Sequence, residues 1–314
     1  MRAHTFSPQS SEEQGAVGGK MPFYLGVDGG GSKCKARLVD ADGNLMAEAL
    51  AGPANAFQDL RRTQDAIVAS ATDALAAAGL CEIGLDQLQV GAGLAGINIP
   101  SVAAAMGQWQ HPFASLQLET DVHIACLGAH GGTESGIVVV GTGSVAYCYA
   151  NGCGTSFGGH GFPAGDKGSG AWLGLKAFES VLLALDQLGP ETQLLGAIES
   201  HFDTHGLGMV ERMASARPRE YAALAPLVLE LANREDTVAV GIVREGADYL
   251  TRLAQKVLDA GAPSLCMLGG LAPLMLPWMA ADIRERVVES QAEADVGAVR
   301  LAMYPQRSGF SQRF

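Results

Sequence analysis

The sequence predicts an α/β protein made of two lobes around an interdomain cleft. Three observations carry that prediction. A strand, a glycine turn, a second strand and a hairpin turn occur in order between residues 23 and 50, and again between 136 and 152. Stretches with apolar residues at helical spacing separate and follow the two copies. The 314 residues are 48% hydrophobic and only 17% charged, enough apolar material to fill two ordinary cores.

The elements follow in order. Residues 23–28 (FYLGVD) read as a buried strand, GGGSK comes next, and 36–40 alternates as a second strand. Asp42-Gly43 marks a hairpin turn with 45–50 as the returning strand. Residues 58–78 have helical spacing, and Gly79 stops them. A strand at 88–91 ends in the loop GLAGIN (93–98), and Pro100 opens a helix to about Trp109. The strand 116–118 runs into Glu119, Thr120 and Asp121, and a helix carries 125–130. The opening pattern then returns as GIVVV (136–140), GTGS (141–144), a strand at 145–149 and an Asn151-Gly152 turn. A glycine-rich stretch spans 158–174, and helical segments fill about 171–260 with breaks at Pro190 and Pro218. A strand at 264–268 meets Gly269-Gly270, a helix leads from Pro277 towards 290, and 294–302 is the last helix. The expected division is a tail at 1–20, lobes at 21–123 and 124–302, and a tail at 303–314.

Charge and composition exclude several classes. With 33 acidic against 21 basic residues the net charge is −12, so a nucleic-acid partner is not expected. No apolar run reaches the length of a membrane span, and residues 1–20 lack the apolar core of a signal peptide. A cytoplasmic protein is expected. The six cysteines form no CxxC pair and the seven histidines no HExxH, which predicts reduced, mostly buried thiols rather than a zinc site.

The chemistry concentrates in the glycine turns. In Asp28-Gly29-Gly30-Gly31-Ser32-Lys33, three residues without Cβ expose backbone N–H groups that can wrap a phosphate, and Ser32 and Lys33 add donors. Asp28, at the strand end, can hold Mg²⁺ directly or through water. The turn is not GxxxxGK[ST], and a hairpin rather than a helix follows it, against a dinucleotide fold. The second loop, Gly141-Thr142-Gly143-Ser144, has the same strand–turn–strand setting. Two such loops can grip a triphosphate from both sides of a cleft. Gly269 and Gly270, after a later strand, offer flat backbone for a base. Asp121 ends a strand before a helix, where open α/β sheets present ligands, although an Asp there can equally be a helix N-cap. Asn55 in GPANAF is either a hydroxyl-binding amide or a turn residue, and Asp166 in AGDKGSG either a ligand or a loop cap.

Together these motifs resemble the actin/hexokinase/heat-shock-protein superfamily, and within it the N-acetylglucosamine kinase and BadF/BadG-type activator-ATPase family, over residues 23–302. The stretches 111–121, 125–130 and 161–175 look like bacterial glucosamine kinases. The resemblance implies two ribonuclease-H-like lobes of the actin-like ATPase kind. It implies ATP and Mg²⁺ as cofactors, and phosphate contacts from Gly29, Gly30, Gly31, Ser32 and Lys33 and from Gly141, Thr142, Gly143 and Ser144. Gly269 and Gly270 become the adenosine motif, and Asp28 the metal residue. Asp121 becomes the base that takes a proton from a sugar hydroxyl. Asn55, Gly96, Thr142 and Asp166 become sugar contacts. The expected reaction moves the γ-phosphate of ATP to the 6-hydroxyl of glucosamine or N-acetylglucosamine, with a homodimer left open. Cys34, Lys167 and His160 depart from the family pattern, where Thr, an acidic residue and Trp are common. The same family holds activators of 2-hydroxyacyl-CoA dehydratases that bridge a [4Fe–4S] cluster between subunits, so Cys126, Cys148 and Cys153 keep that alternative open. A non-enzymatic sugar sensor is a third reading, although no helix-turn-helix segment precedes residue 21.

Overall fold

The computed structural model describes residues 22–31 and 33–304. Ser32 and the two expected tails, except Met303 and Tyr304, lie outside the described residues. The first sheet comprises β1 (Phe23–Gly29), β2 (Cys34–Val39), β3 (Leu45–Ala51), β4 (Leu88–Leu94) and β5 (Ser115–Thr120), in the order β3-β2-β1-β4-β5. β1, β2 and β3 are an antiparallel meander, and β4 and β5 extend the sheet parallel to β1. The parallel crossovers are made by α1 (Leu60–Ala77) and α2 (Pro100–Gly107). Asp59 caps α1 by accepting from Arg62 N at 3.0 Å. Ile67, Ala71, Ala74 and Leu75, on one helical face, pack with Leu25, Val27, Ala36 and Leu38.

The chain leaves this sheet through α3 (Asp121–Ala129) and builds a second one from β6 (Ser135–Val140), β7 (Ser144–Ala150), β8 (Cys153–Gly158) and, much later, β9 (Leu265–Leu268), in the order β8-β7-β6-β9. Between β8 and β9 run α4 (Gly170–Leu185), α5 (Leu194–Phe202), α6 (Leu207–Met213), α7 (Pro218–Ala222), α8 (Ala225–Asn233) and α9 (Thr237–Asp259). After β9 come α10 (Ala272–Met275), α11 (Ala281–Arg284) and α12 (Ala294–Met303). Alternation along the strands gives the second sheet two apolar faces. Val138, Val140, Ala146 and Cys148 pack with the cores of α4, α8 and α9, whereas Ile137 and Tyr147 pack with Cys126 and Ala129 of α3.

Two features differ from the sequence reading. The helix expected from Pro277 towards 290 is a short 3₁₀ turn followed by the four residues of α11. Residues beyond α11 instead lie along β9, where Val288 N donates to Leu265 O at 2.9 Å, so pairing with the sheet edge displaces helix. The last helix, α12, falls in the 124–302 segment by chain order, yet it packs against β1, β4 and α3. Gly26 and Gly91 are neighbours in the β1–β4 register, and a Cβ on either would strike the α12 backbone. Gly128 and Gly297 allow the same close approach where α3 crosses α12. Lys35 and Arg37 of β2 pair with the buried Asp295 carboxylate at 3.1 and 2.7 Å. The two sheets therefore face each other across α3 and α12.

Candidate functional site

The second glycine loop is the turn between β6 and β7. The first turn of α4 clamps it: Gly170 N donates to Gly141 O at 2.8 Å and Ala171 N to Thr142 O at 3.1 Å. Ser144 turns inward and its hydroxyl donates to Lys167 O at 2.9 Å. Thr142 stays exposed at the tip. A Cβ on Gly143 would lie 2.6 Å from Asp166 Oδ2, so the glycine makes room for a carboxylate. Asp166 is buried, adopts the left-handed φ of 58° and accepts from Gly161 N at 3.0 Å. Burial raises its pKa, and N–H groups of Gly161 and Ser144 oppose that shift.

Asp121 is the first residue of α3. The cap is made by Thr120, whose hydroxyl accepts from His123 N at 3.2 Å. The alternative of an N-cap aspartate is thus taken by its neighbour. Asp121 Oδ1 accepts from the adjacent Val122 N–H at 2.9 Å. Burial pushes its pKa up from the ordinary carboxylate range, which strengthens it as a proton acceptor.

The first loop is tighter. Gly30 N donates to Lys33 O at 3.0 Å, and Ala54 N and Ala95 N donate to Gly30 O and Gly29 O at 2.9 Å each. Gly31 has open space, the nearest neighbour of a Cβ there being Asn55 Nδ2 at 4.0 Å. Asn55 spends its side-chain carbonyl on a turn, accepting Phe57 N and Gln58 N at 3.1 Å, which leaves the amide NH₂ to donate. Asp28 has its pKa raised to about 6, by burial first and then by the charges of Asp121 and Asp295, against Lys33 and Lys35. Gly269, at φ 93°, presses on Val140, and Leu271 N donates to Val140 O at 3.1 Å, so the late glycine pair abuts the start of the second loop.

A cavity of about 370 Å³ opens between the lobes. Of the residues singled out from sequence, its wall unites Gly96, Asp121, Gly141, Thr142, Gly143, Ser144 and Asp166. Asp28, Gly29, Gly30, Gly31, Lys33, Asn55, Gly269 and Gly270 are not in that wall. The wall also contains Asn98, from the GLAGIN loop expected to line the pocket, and Thr120, Ser156, Gly158 and Gly159, which sequence reasoning did not assign. The Asn151-Gly152 hairpin was the available signal: it implies a returning strand, β8, whose end carries Ser156 and the two glycines. Cys126 and Cys148 are 0% and 2% exposed and Cys153 is exposed, so these three thiols are not presented together at one surface.

Residues 25–302 match the profile of the BadF/BadG/BcrA/BcrD ATPase family. The chain is 33% identical to the glucosamine kinase GspK of Vibrio cholerae over 92% of its own length and 98% of that protein. It is 28% identical to an N-acetylmuramic acid/N-acetylglucosamine kinase of Clostridium acetobutylicum, over 76% of its length and 80% of the relative's. Among solved structures, a Chromobacterium violaceum protein provisionally described as an N-acetylglucosamine kinase superposes with a TM-score of 0.82 at 31% identity, covering 90% of this chain and 99% of that one. The match spans both sheets and every glycine loop, and the chain belongs to the BadF/BadG/BcrA/BcrD ATPase family.

Proposed function

We propose that this protein is an ATP-dependent amino-sugar kinase that phosphorylates the 6-hydroxyl of glucosamine or N-acetylglucosamine, acting in the cytoplasm. The observation that carries this reading is the interlobe cavity, in which the raised-pKa carboxylate of Asp121 shares a wall with Gly141–Ser144 and Asp166. A sugar hydroxyl is a poor nucleophile, and a half-buried carboxylate with elevated basicity is suited to take its proton. Asp166, with the Asn55 amide and the Gly96 backbone, orients the sugar through its hydroxyls. The first loop, Gly29–Lys33, and the second, Gly141–Ser144, hold the phosphates, with Gly269 and Gly270 against the base.

The residues present fit Mg²⁺: Asp28 is a half-buried carboxylate beside the first loop with Asp121 acting on it electrostatically. Bound there, the ion supplies charge neutralisation of the phosphate oxygens. Asp28 orients that ion, and Lys33 adds a second positive charge. The relatives bearing kinase names that act on amino sugars support the substrate class.

A coupled ATP assay over glucosamine, N-acetylglucosamine, glucose and mannose tests the reading. Both amino sugars are expected to exceed glucose in kcat/KM, and glucose equalling them overturns the substrate class. Asp121→Asn is expected to lower kcat roughly 10²–10⁴-fold with a small change in sugar KM. More than about half of wild-type kcat in that variant removes Asp121 from the role of base.

A further inference from the structure

A buried polar pair on α3 and β7 has no part in the proposed reaction. His123 of α3 is 5% exposed, and its Nδ1 lies 2.5 Å from the Tyr147 hydroxyl of β7. Its ring also meets Tyr147 and Tyr149 edge-on, with centroids 5.6 and 5.1 Å away. Its other nitrogen, Nε2, is buried without a partner among the described residues. A hydrophobic residue would fill this space without stranding a nitrogen, so a histidine here costs stability that packing alone does not explain.

The position of the pair suggests what the cost secures. His123 stands two residues after Asp121, which in a helix turns it about 200° away. Asp121 faces the cavity while His123 faces the second sheet. Tyr147 lies three residues along β7 from Ser144, the last residue of the second loop. The hydrogen bond therefore runs from the back of the turn that carries Asp121 to the strand that leaves the phosphate loop. It joins α3, the connection from the first sheet to the second, to β7 just behind residues of the cavity wall, Val122 on α3 and Val145 on β7. The groups around it are Glu119 of β5, whose charge raises the Tyr147 phenol further, Cys126 of α3, and Cys148 and Tyr149 of β7. Burial keeps His123 neutral, with its pKa down to about 4.

We infer that His123, through its hydrogen bond with Tyr147, is a positioning residue that fixes the Asp121 turn relative to the Gly141–Ser144 loop. The inference rests on the kinase reading and on Asp121 as its base. It separates two roles the pair could have: holding the core together, or setting the distance between base and phosphate.

The test compares Tyr147→Phe, His123→Leu and His123→Asn in steady-state kinetics with glucosamine and Mg·ATP, alongside ATP hydrolysis without sugar. Asn places an amide near the Nδ1 position and so preserves a polar partner for Tyr147. Tyr147→Phe and His123→Leu are expected to lower kcat about tenfold or more with both KM values within about threefold, while His123→Asn stays within about threefold of wild type. Sugar-independent ATP hydrolysis should rise relative to sugar phosphorylation in the first two variants. The inference is overturned by wild-type kcat in Tyr147→Phe, by a rise in KM alone, or by His123→Asn being as slow as His123→Leu. If His123→Leu does not fold, Tyr147→Phe, which loses one oxygen, decides the matter alone. Asp121→Asn in the same assay keeps the two readings apart: a fast Asp121→Asn removes the base, whereas a slow one beside a fast Tyr147→Phe removes only the positioning role.

Discussion

Gly143→Ala is the sharpest single-atom test of the site. The added Cβ would stand 2.6 Å from Asp166 Oδ2, 0.8 Å short of an ordinary 3.4 Å contact. The backbone at Gly143 is not in the left-handed region, so alanine is tolerated there conformationally. The strain falls instead on Asp166, which is pinned by the Gly161 N–H at 3.0 Å and by its own φ of 58°. With Asp166 orienting the sugar as proposed, displacing its carboxylate by nearly 1 Å should cost on the order of 10²-fold in rate, about 2.7 kcal/mol of transition-state stabilisation. The assay is kcat/KM for glucosamine at saturating Mg·ATP, with Asp166→Ala and the double variant measured beside it. Because the alanine acts by pushing Asp166, it has nothing to push once that carboxylate is gone. The double variant should be no slower than Asp166→Ala by more than about twofold. Multiplicative losses would refute the reasoning and mean that Gly143 acts through the phosphate loop alone.

Asp28→Ala should abolish Mg·ATP-dependent phosphorylation while the circular dichroism spectrum is retained, since the carboxylate is half-buried at a strand end rather than in the core; unchanged activity with unchanged Mg²⁺ dependence removes Asp28 from the metal site. Glu119 should make stability fall with rising pH. Burial lifts its pKa from 4.5 to about 7, so the folded state holds the proton more tightly, and that contribution is complete below about pH 4.5 and lost as pH rises through 7. Glu119→Gln keeps a neutral side chain throughout and should gain on the order of 1–3 kcal/mol over wild type at pH 8 and almost nothing at pH 4.5, in urea melts at both values. An equal gap at both pH values contradicts the assignment.

The parts of this fold that were legible in the sequence are those written locally. The two meanders announce themselves because a hairpin needs Asp42-Gly43 or Asn151-Gly152 within a few residues of its strands, and the phosphate-type turns need contiguous glycines. The return of α12 was not legible, because Gly26, Gly91, Gly128 and Gly297 are each unremarkable alone and form a trough only once β1, β4, α3 and α12 are assembled. The segment after Pro277 misled for the same reason: its pairing partner, Leu265, is distant in sequence. At the site, Asp121 and Asp166 could be named from their motifs, but their environments could not. That Thr120 rather than Asp121 caps α3, and that the Asn55 carbonyl is already committed to a turn, depend on hydrogen bonds that composition does not encode. Ser156, Gly158 and Gly159 enter the cavity wall only through the tertiary placement of β8.

The division of the site between two sheets constrains how the proposed reaction proceeds. The cavity joins Asp121 to the second loop and Asp166, whereas Gly29–Gly31 and Lys33 of the first loop stand outside its wall. A triphosphate gripped by both loops then requires the lobes to draw together, which also excludes water from the transferring group. The elements between the sheets are α3 and α12, crossing closely at Gly128 and Gly297, with α12 tied to β2 through Asp295. Any approach of the lobes must be accommodated against this packed pair. Asp121 sits on the first turn of α3, where the chain passes from the first sheet to the second, so it can move with neither lobe entirely. Its separation from the second loop is set by what fastens that turn to β7, and the structure places the His123–Tyr147 bond there.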